Sequence, residues 1–260
     1  EHLTSRIAES AWIRNHPDEA RELDDFLRQL SNALVGVLDT TGLDKREAGY
    51  LLALDEHAFD GSTIYTKALS GLGVELSEIA VVDAPYPPTM ETYSHGNGTI
   101  IVSENVGPYN RLRSIARNHD DALAAFGFAP SAVVLGNGRF ATHPRFVADV
   151  LEQAQLPQGS RLLYWGDLDR EGLSILAELA SGSLVCTCAW AQPYHAMLEA
   201  ARHKAPRASR DQRGILPDFA PLEMSLSTSD LALAQRLIKQ GAIVPQEAVR
   251  PEAYRDGSFA

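Results

Sequence analysis

Arg161-Leu-Leu-Tyr-Trp-Gly-Asp-Leu-Asp-Arg-Glu-Gly172 is a short apolar run that stops abruptly at two aspartates separated by one residue. An apolar run of this length, bounded by a glycine, reads as a buried strand. The residues that follow place Leu173, Leu176, Ala177 and Ala180 at i, i+3, i+4 and i+7, the apolar stripe of a helix. Asp167 and Asp169 therefore belong to a strand-to-helix turn. In an open parallel sheet such turns lie at the carboxyl ends of the strands, where these folds hold their ligands. A spacing of two along extended chain points both side chains the same way. Carboxylates held that close repel unless one is protonated or a cation lies between them. A hard divalent ion with oxygen ligands, Mg²⁺ first, resolves the repulsion. The competing reading is that the aspartates cap the next helix. One aspartate would satisfy that role; the second, and Gly166, need a further reason.

Outward from this stretch the same pattern recurs. Thr99-Ile-Ile-Val-Ser-Glu104-Asn105 is a β-branched strand that ends on a carboxylate, and Ser131-Ala-Val-Val-Leu135 is another apolar strand, ending on Gly136-Asn137-Gly138. Helical segments run between them to about residue 126. A helix from Pro144 to about Ala154 carries Phe146, Val147, Val150 and Leu151 on its buried side, and a last strand is expected over Ser183 to Cys188. Alternation of strand and helix predicts an α/β fold, a parallel sheet with helices on both faces. Beyond it, Asp230 to Gln240 reads as a helix, with Ser227, Thr228, Ser229 and Asp230 as capping candidates and Gly241 as its stop.

The first third reads differently. One helix is expected over residues 17 to 38, a second from about Asp44 to His57 and a third from Ser62 to Ser70, closed by Gly71 and Gly73. This predicts a mostly helical module over 1–85, with a winged helix as one form of it. The prolines of Asp83-Ala-Pro-Tyr-Pro-Pro88 mark the boundary, and residues 86–260 form the sheet domain with a C-terminal helical extension. The chain begins on Glu1 in what already reads as helix, which suggests a piece of a longer protein.

Composition limits the function classes. With 45% hydrophobic and 22% charged residues the 260-residue chain is an ordinary globular sequence without a membrane-spanning run or signal pattern, and a cytoplasmic location is expected. A net charge of −11 argues against a protein that grips nucleic acid over its whole surface. Residues 1 to 80 carry 7 basic against 15 acidic residues, a balance of −8, which suits docking to a protein better than lying on DNA. Positive charge concentrates in one place, at Arg202, Lys204, Arg207, Arg210 and Arg213, which serves either phosphate contact or a solvated loop. Cys186 and Cys188 lack the spacing of a metal or redox site and read as core thiols on one strand face.

Strand ends of neighbouring parallel strands converge, so Glu104, the Gly136-Asn137-Gly138 turn and Asp167-x-Asp169 should meet at one edge. A glutamate after the first strand and Asp-x-Asp after the third resemble the Toprim signature over roughly residues 98 to 190. The finer wording, Glu104-Asn105, Val134-Leu-Gly-Asn-Gly138 and Tyr164-Trp-Gly-Asp-Leu-Asp-Arg-Glu-Gly-Leu-Ser-Ile-Leu176, is similar to the D subunit of Wadjet plasmid-defence systems. That family is in turn similar to the A subunit of topoisomerase VI. The resemblance implies a metal-dependent nuclease that cuts double-stranded circular DNA together with a condensin-like SMC complex, with a homodimer left open. It implies Glu104, Asp167 and Asp169 as catalytic residues and Mg²⁺ ligands, Mn²⁺ being a substitute. Glu171 lies near enough in sequence to hold a second ion, or is an ordinary acid of a helix's first turn. Arg139, with Arg202, Lys204, Arg207 and Arg210, could steady the DNA backbone. The C-terminal segment Leu237–Glu247 is less acidic than in that family and is given no role. His143 and His195 are either proton donors or surface histidines.

Other readings compete. Asp-Leu-Asp also opens the haloacid-dehalogenase phosphatase motif, but Arg170 and Glu171 follow here and an acid strand end precedes. A topoisomerase-like transesterase would need a tyrosine nucleophile in the first module, where Tyr50 and Tyr65 are available. A non-catalytic subunit would use the Toprim fold to bind DNA or the SMC complex.

Overall fold

The computed structural model describes residues 2–81, 89–157, 159–182, 184–204, 206–208 and 216–254. They fall into two compact units, Glu1–Pro85 and Tyr86–Ala260.

The first unit is helical: α1 (His2–Glu9), α2 (Ala11–Asn15), α3 (Pro17–Glu22), α4 (Asp24–Leu34), α5 (Lys45–Ala53) and α6 (Ile64–Leu72). The long helix expected over 17 to 38 is two, interrupted at Leu23 (φ −95°, ψ 9°). Leu23 turns into the core at 3% exposure, while Asp24 and Asp25 occupy the positive first turn of α4. That helix ends at Leu34, and Val37 is 76% exposed instead of continuing the apolar face. The second expected helix begins where Asp44 accepts from the Arg46 and Glu47 amides and Glu47 returns a bond to the Asp44 N–H, a closed capping box. Gly73, left-handed at φ 61°, closes α6. Among the described residues of this unit there is no strand, hence no wing. Tyr65 stacks edge-on against Phe26 at 5.2 Å, so its ring is part of the packing.

The second unit is built on a five-stranded sheet of β1 (Met90–Thr92), β2 (Thr99–Ser103), β3 (Ala132–Leu135), β4 (Arg161–Trp165) and β5 (Cys186–Ala189), in the order β1-β3-β2-β4-β5. All neighbours are parallel except the edge strand β1, which runs antiparallel to β3 and was not expected from sequence. Every residue of β2 is buried, as in a sheet covered on both faces. The covering helices are α7 (Val106–Ala116), α8 (His119–Phe126), α9 (Phe146–Ala154), α10 (Arg170–Gly182) and α11 (Ala191–His203). The chain continues through β6 (Arg207–Ala208), α12 (Ala220–Glu223), α13 (Thr228–Lys239) and β7 (Ala242–Ile243), which pairs with β6. Ser227 caps α13, accepting from the Asp230 amide.

Two local expectations are corrected. In α10 the buried face is Gly172, Leu173, Ile175, Leu176 and Leu179, so the larger Ile175 and Leu179 turn inward in place of Ala177 and Ala180. The last parallel strand lies at Cys186–Ala189, Ser183 falling outside the described residues, and it is an edge strand. Its inward face is Thr187 and Ala189, while Cys186 is exposed and Cys188 half-buried, so the cysteines are not core thiols.

From β2 the chain crosses to β3 on one side, whereas from β4 it crosses to β5 on the other. The carboxyl ends of β2 and β4 thus flank the point where connections diverge, the crevice in which open α/β sheets place their sites.

Candidate functional site

Register brings the acids together. Ser103 pairs with Trp165 at the ends of β2 and β4, and the next residue, Glu104, donates its N–H to the Trp165 carbonyl at 3.0 Å. On the other side Ser103 pairs with Leu135, and the glycine turn continues the ladder: Gly136 N–H bonds the Ser103 carbonyl (2.7 Å) and Asn137 N–H the Glu104 carbonyl (3.2 Å). Asn137 (φ 51°) and Gly138 (φ 61°) are left-handed, which folds the turn back over the strand end.

Glu104 points at the aspartates. Its Oε2 accepts from the Tyr164 hydroxyl (2.8 Å) and from the Asp167 N–H (3.2 Å). Gly166 exists for this contact: a Cβ there would lie 2.3 Å from Glu104 Oε2 and 2.4 Å from the Tyr164 hydroxyl oxygen. The Gly166 N–H donates to the buried Tyr194 hydroxyl (3.1 Å). Burial raises the Glu104 carboxyl above its ordinary range; the bonds from Tyr164 and Asp167 oppose this, and the charges of Asp169 and Glu171 add to it.

The two aspartates divide the roles that sequence left as alternatives. Asp169, 8% exposed, is the helix cap: its Oδ1 accepts from the Gly172 N–H at 2.8 Å. Gly172 is required because a Cβ would meet the Asp167 carbonyl oxygen at 2.2 Å. Asp167 instead is held by the C-terminal segment to which the sequence reading gave no role. Its Oδ1 accepts from the Gln246 backbone N–H (2.8 Å) and from Asn105 Nδ2 (3.1 Å). Desolvation pushes the Asp167 carboxyl well above the usual carboxylate range, the charges of Glu247 and Glu104 push further, and the Gln246 N–H pulls back.

The strap that supplies these groups follows β7. Val244 and Leu168 form an antiparallel bridge, with Leu168 N–H to Val244 O at 2.8 Å. Gln246 is fully buried and satisfies three strand-end groups: Nε2 donates to Ser103 Oγ (3.1 Å) and to the Trp165 carbonyl (3.0 Å), and Oε1 accepts from the Asn105 N–H (2.8 Å). Glu247, 6% exposed, accepts through Oε2 from the side-chain Nδ2 of Asn105 at 3.2 Å, the same nitrogen that donates to Asp167. The edge therefore carries Glu247 as a further carboxylate. One signal for it was present: Ala242-Ile-Val-Pro-Gln-Glu247 is again a short apolar run ending on an acid.

The outcome is an acid cluster with its ligand atoms sorted. Among the described residues, Glu104 Oε2 and Asp167 Oδ1 each take two protein donors, and Oε1 and Oδ2 take none. The donor set suits a hard cation: carboxylate oxygens, mutual repulsion and, among the described residues, no lysine or arginine bonded to Glu104 or Asp167. Their oxygens are not all drawn within 4.8 Å; among the described residues the trio that meets that measure is His195, Glu199 and Asp230. That trio is already neutralised, since Arg202 bonds both Glu199 and Asp230 and His195 Nδ1 lies 2.9 Å from Asp230.

The remaining sequence candidates lie elsewhere. Exposed Glu171 is held by Arg139, whose guanidinium bonds both its oxygens and reaches Glu178 at 3.0 Å. Arg139 thus braces the glycine turn against α10. Arg202 faces acids of its own unit, Lys204 is exposed at the end of α11, and Arg207 stands on β6. Arg210 and Arg213 lie outside the described residues. His195 is oriented by Asp230, and His143 stacks on Phe140.

An α/β sheet of this topology, with helices on its faces and acids at its diverging strand ends, is consistent with a Toprim-like fold. A family model described as Wadjet protein JetD, C-terminal, matches residues 74–253. The chain belongs to the Wadjet protein JetD family, and so to the subunits of Wadjet defence systems. A search of curated proteins found no match. No helix among the described residues is long and apolar enough to cross a membrane.

Proposed function

We propose that the chain is a divalent-metal-dependent endonuclease, the subunit that hydrolyses phosphodiesters of circular double-stranded DNA for a Wadjet complex. Family membership implies SMC-like partners in that complex. The observation that carries the nuclease reading is the sorting of oxygens at the acid edge: Glu104 and Asp167 each have one oxygen fixed by two donors and the other turned to no protein group among the described residues. Such fixed carboxylates are preorganised to hold an ion without first rearranging.

Asp167, Asp169 and Glu104 would hold Mg²⁺ or Mn²⁺, with Glu247 behind Asp167. When bound, such an ion polarises a phosphate oxygen and acidifies water. In this reading Glu104 acts through Oε1, either as the third ligand of the ion or as the acceptor of the attacking water's proton, while Oε2 stays bonded to Tyr164 and the Asp167 N–H. Tyr164 keeps its proton, its acidity suppressed by burial and by Glu104, and so holds the Glu104 carboxylate by donation throughout. Asp169 ties the edge to the first turn of α10, whose positive end favours a phosphate.

The test is cleavage of closed circular plasmid by the full-length protein with its SMC-like partners and Mg²⁺ or Mn²⁺. Linear product is expected, and Asp169→Ala or Asp167→Asn should abolish it. Undiminished cutting by either variant rejects the assignment.

A further inference from the structure

One stretch beside the acid edge has, apart from its first residue, no part in the site described above. Arg139-Phe-Ala-Thr-His-Pro-Arg145 follows the glycine turn and is anchored at two points, Ala141 (1% exposed) and Phe146 (6%). Ala141 packs on the strand end itself, where a Cβ on Gly136 would meet its methyl at 3.5 Å. Two residues before Arg139, Asn137 bonds the Glu104 carbonyl. The loop is thereby fixed to the strand that carries the acid.

Between its anchors the loop turns its chemistry outward. Phe140 is 60% exposed, its ring stacked on His143 (6.4 Å, 18°) and edge-on to Phe146 (6.1 Å, 87°). A lone exposed apolar side chain needs no explanation. This ring, however, has two ring neighbours, and it shares its segment with His143 and Arg145, both exposed. Arg145 pairs with Asp149 one helical turn on, both side chains about half exposed or more (68% and 47%). Exposed pairs of this kind are marginal, so the guanidinium exchanges its carboxylate for a phosphate at little cost. Arg139, bound to two acids, serves as the brace that keeps the loop in place.

We propose that residues 140–145 are a DNA-holding loop, with the Phe140 ring lying against a base and Arg145, assisted by His143, against the adjoining phosphate. Ring plus cation is the combination that holds nucleic-acid strands without reading sequence. The proposal rests on the nuclease reading for the identity of its ligand, and its test does not depend on cutting.

Binding of a fluorescein-labelled mixed-sequence duplex, and of one of its strands alone, is measured by anisotropy across a salt series with the full chain. Phe140→Ala is expected to weaken binding about tenfold with the salt dependence unchanged. Arg145→Ala should reduce the slope of log K against log salt by about one. Phe140→Leu, which keeps bulk and loses the aromatic face, should resemble Phe140→Ala; recovery by Phe140→Trp completes the case. Because both positions are exposed, circular dichroism should show the fold intact. The duplex and single-strand arms decide which form the loop prefers. Variants that bind both probes as the parent does at every salt concentration, or a parent chain that binds neither, overturn the proposal. Plasmid linearisation run in parallel separates the two readings. Cutting that survives in both loop variants with unchanged affinity removes the loop alone. Loop-dependent binding without metal-dependent cutting removes the nuclease reading and leaves the loop.

Discussion

Gly166→Ala tests whether Glu104 truly faces the aspartates. The added methyl would lie 2.3 Å from Glu104 Oε2, 2.4 Å from the Tyr164 hydroxyl and 2.8 Å from Tyr164 Cε1, all well inside van der Waals contact. Tyr164 is fully buried on a central strand and has nowhere to retreat, so Glu104 must move. Overpacking of this kind costs about 1–3 kcal/mol. The Glu104 carboxylate also loses donors at 2.8 and 3.2 Å, and bonds to a charged group contribute about 1.5–3 kcal/mol each. Its release into water recovers hydration and removes the repulsion by Asp169, which offsets part of the loss. A net destabilisation of about 2–4 kcal/mol follows, or a Tm lower by about 5–15 °C for a unit of this size. Urea denaturation followed by circular dichroism measures it. Gly182→Ala, where nothing lies within 4 Å, is the control and should stay within about 0.5 kcal/mol. In a Glu104→Ala background the penalty should shrink by at least about 1 kcal/mol, the coupling expected of touching groups. A Gly166→Ala protein as stable as its parent, or a penalty independent of residue 104, would refute the geometry from which the site was built.

Three further outcomes are expected. Gln246→Leu leaves the Asn105 N–H, Ser103 Oγ and the Trp165 carbonyl without their buried partner and should cost about 2–4 kcal/mol in urea denaturation, with weaker Mn²⁺ binding by calorimetry. Without divalent ions, the raised carboxyls of Asp167 and Glu104 oppose folding once ionised, so Tm should rise as pH is lowered toward the ordinary carboxylate range; Asp167→Asn should flatten that rise and increase Tm at the alkaline end of the series. In the first unit Arg6 holds Glu78 down to about 2, so its contribution is present above the ordinary glutamate range and is lost as pH falls through about 2; Glu78→Gln should remove that acid-limb slope from the thermal transition.

How far the sequence carried depended on the range of the forces involved. Strands β2, β3 and β4 were legible because each is an apolar run with punctuation at both ends, and the acids stood out because a charge at a strand end breaks the run. The split between Asp167 and Asp169 was not legible. Either aspartate is a suitable helix cap by residue type, and only the strap, which takes Asp167, decides which of them caps. Gln246 was missed for the same reason: its partner Asn105 lies 141 residues away, and no local periodicity records a bond of that span. The break at Leu23 follows from packing of one leucine into the core, which helix propensity does not weigh. The cysteines were placed inside because strand alternation was read without knowing that β5 is at the margin of its sheet.

The strap also sets an order of events. Gln246 is synthesised 79 residues after the aspartate it holds, and its side chain bridges the tips of two strands formed much earlier in the chain. A nascent polypeptide thus carries every strand-end acid of the central sheet before it carries the clasp that aligns them. Alignment of Glu104 with Asp167 is therefore a late event of folding, completed only once the segment after β7 has been made and has docked on the strand tips.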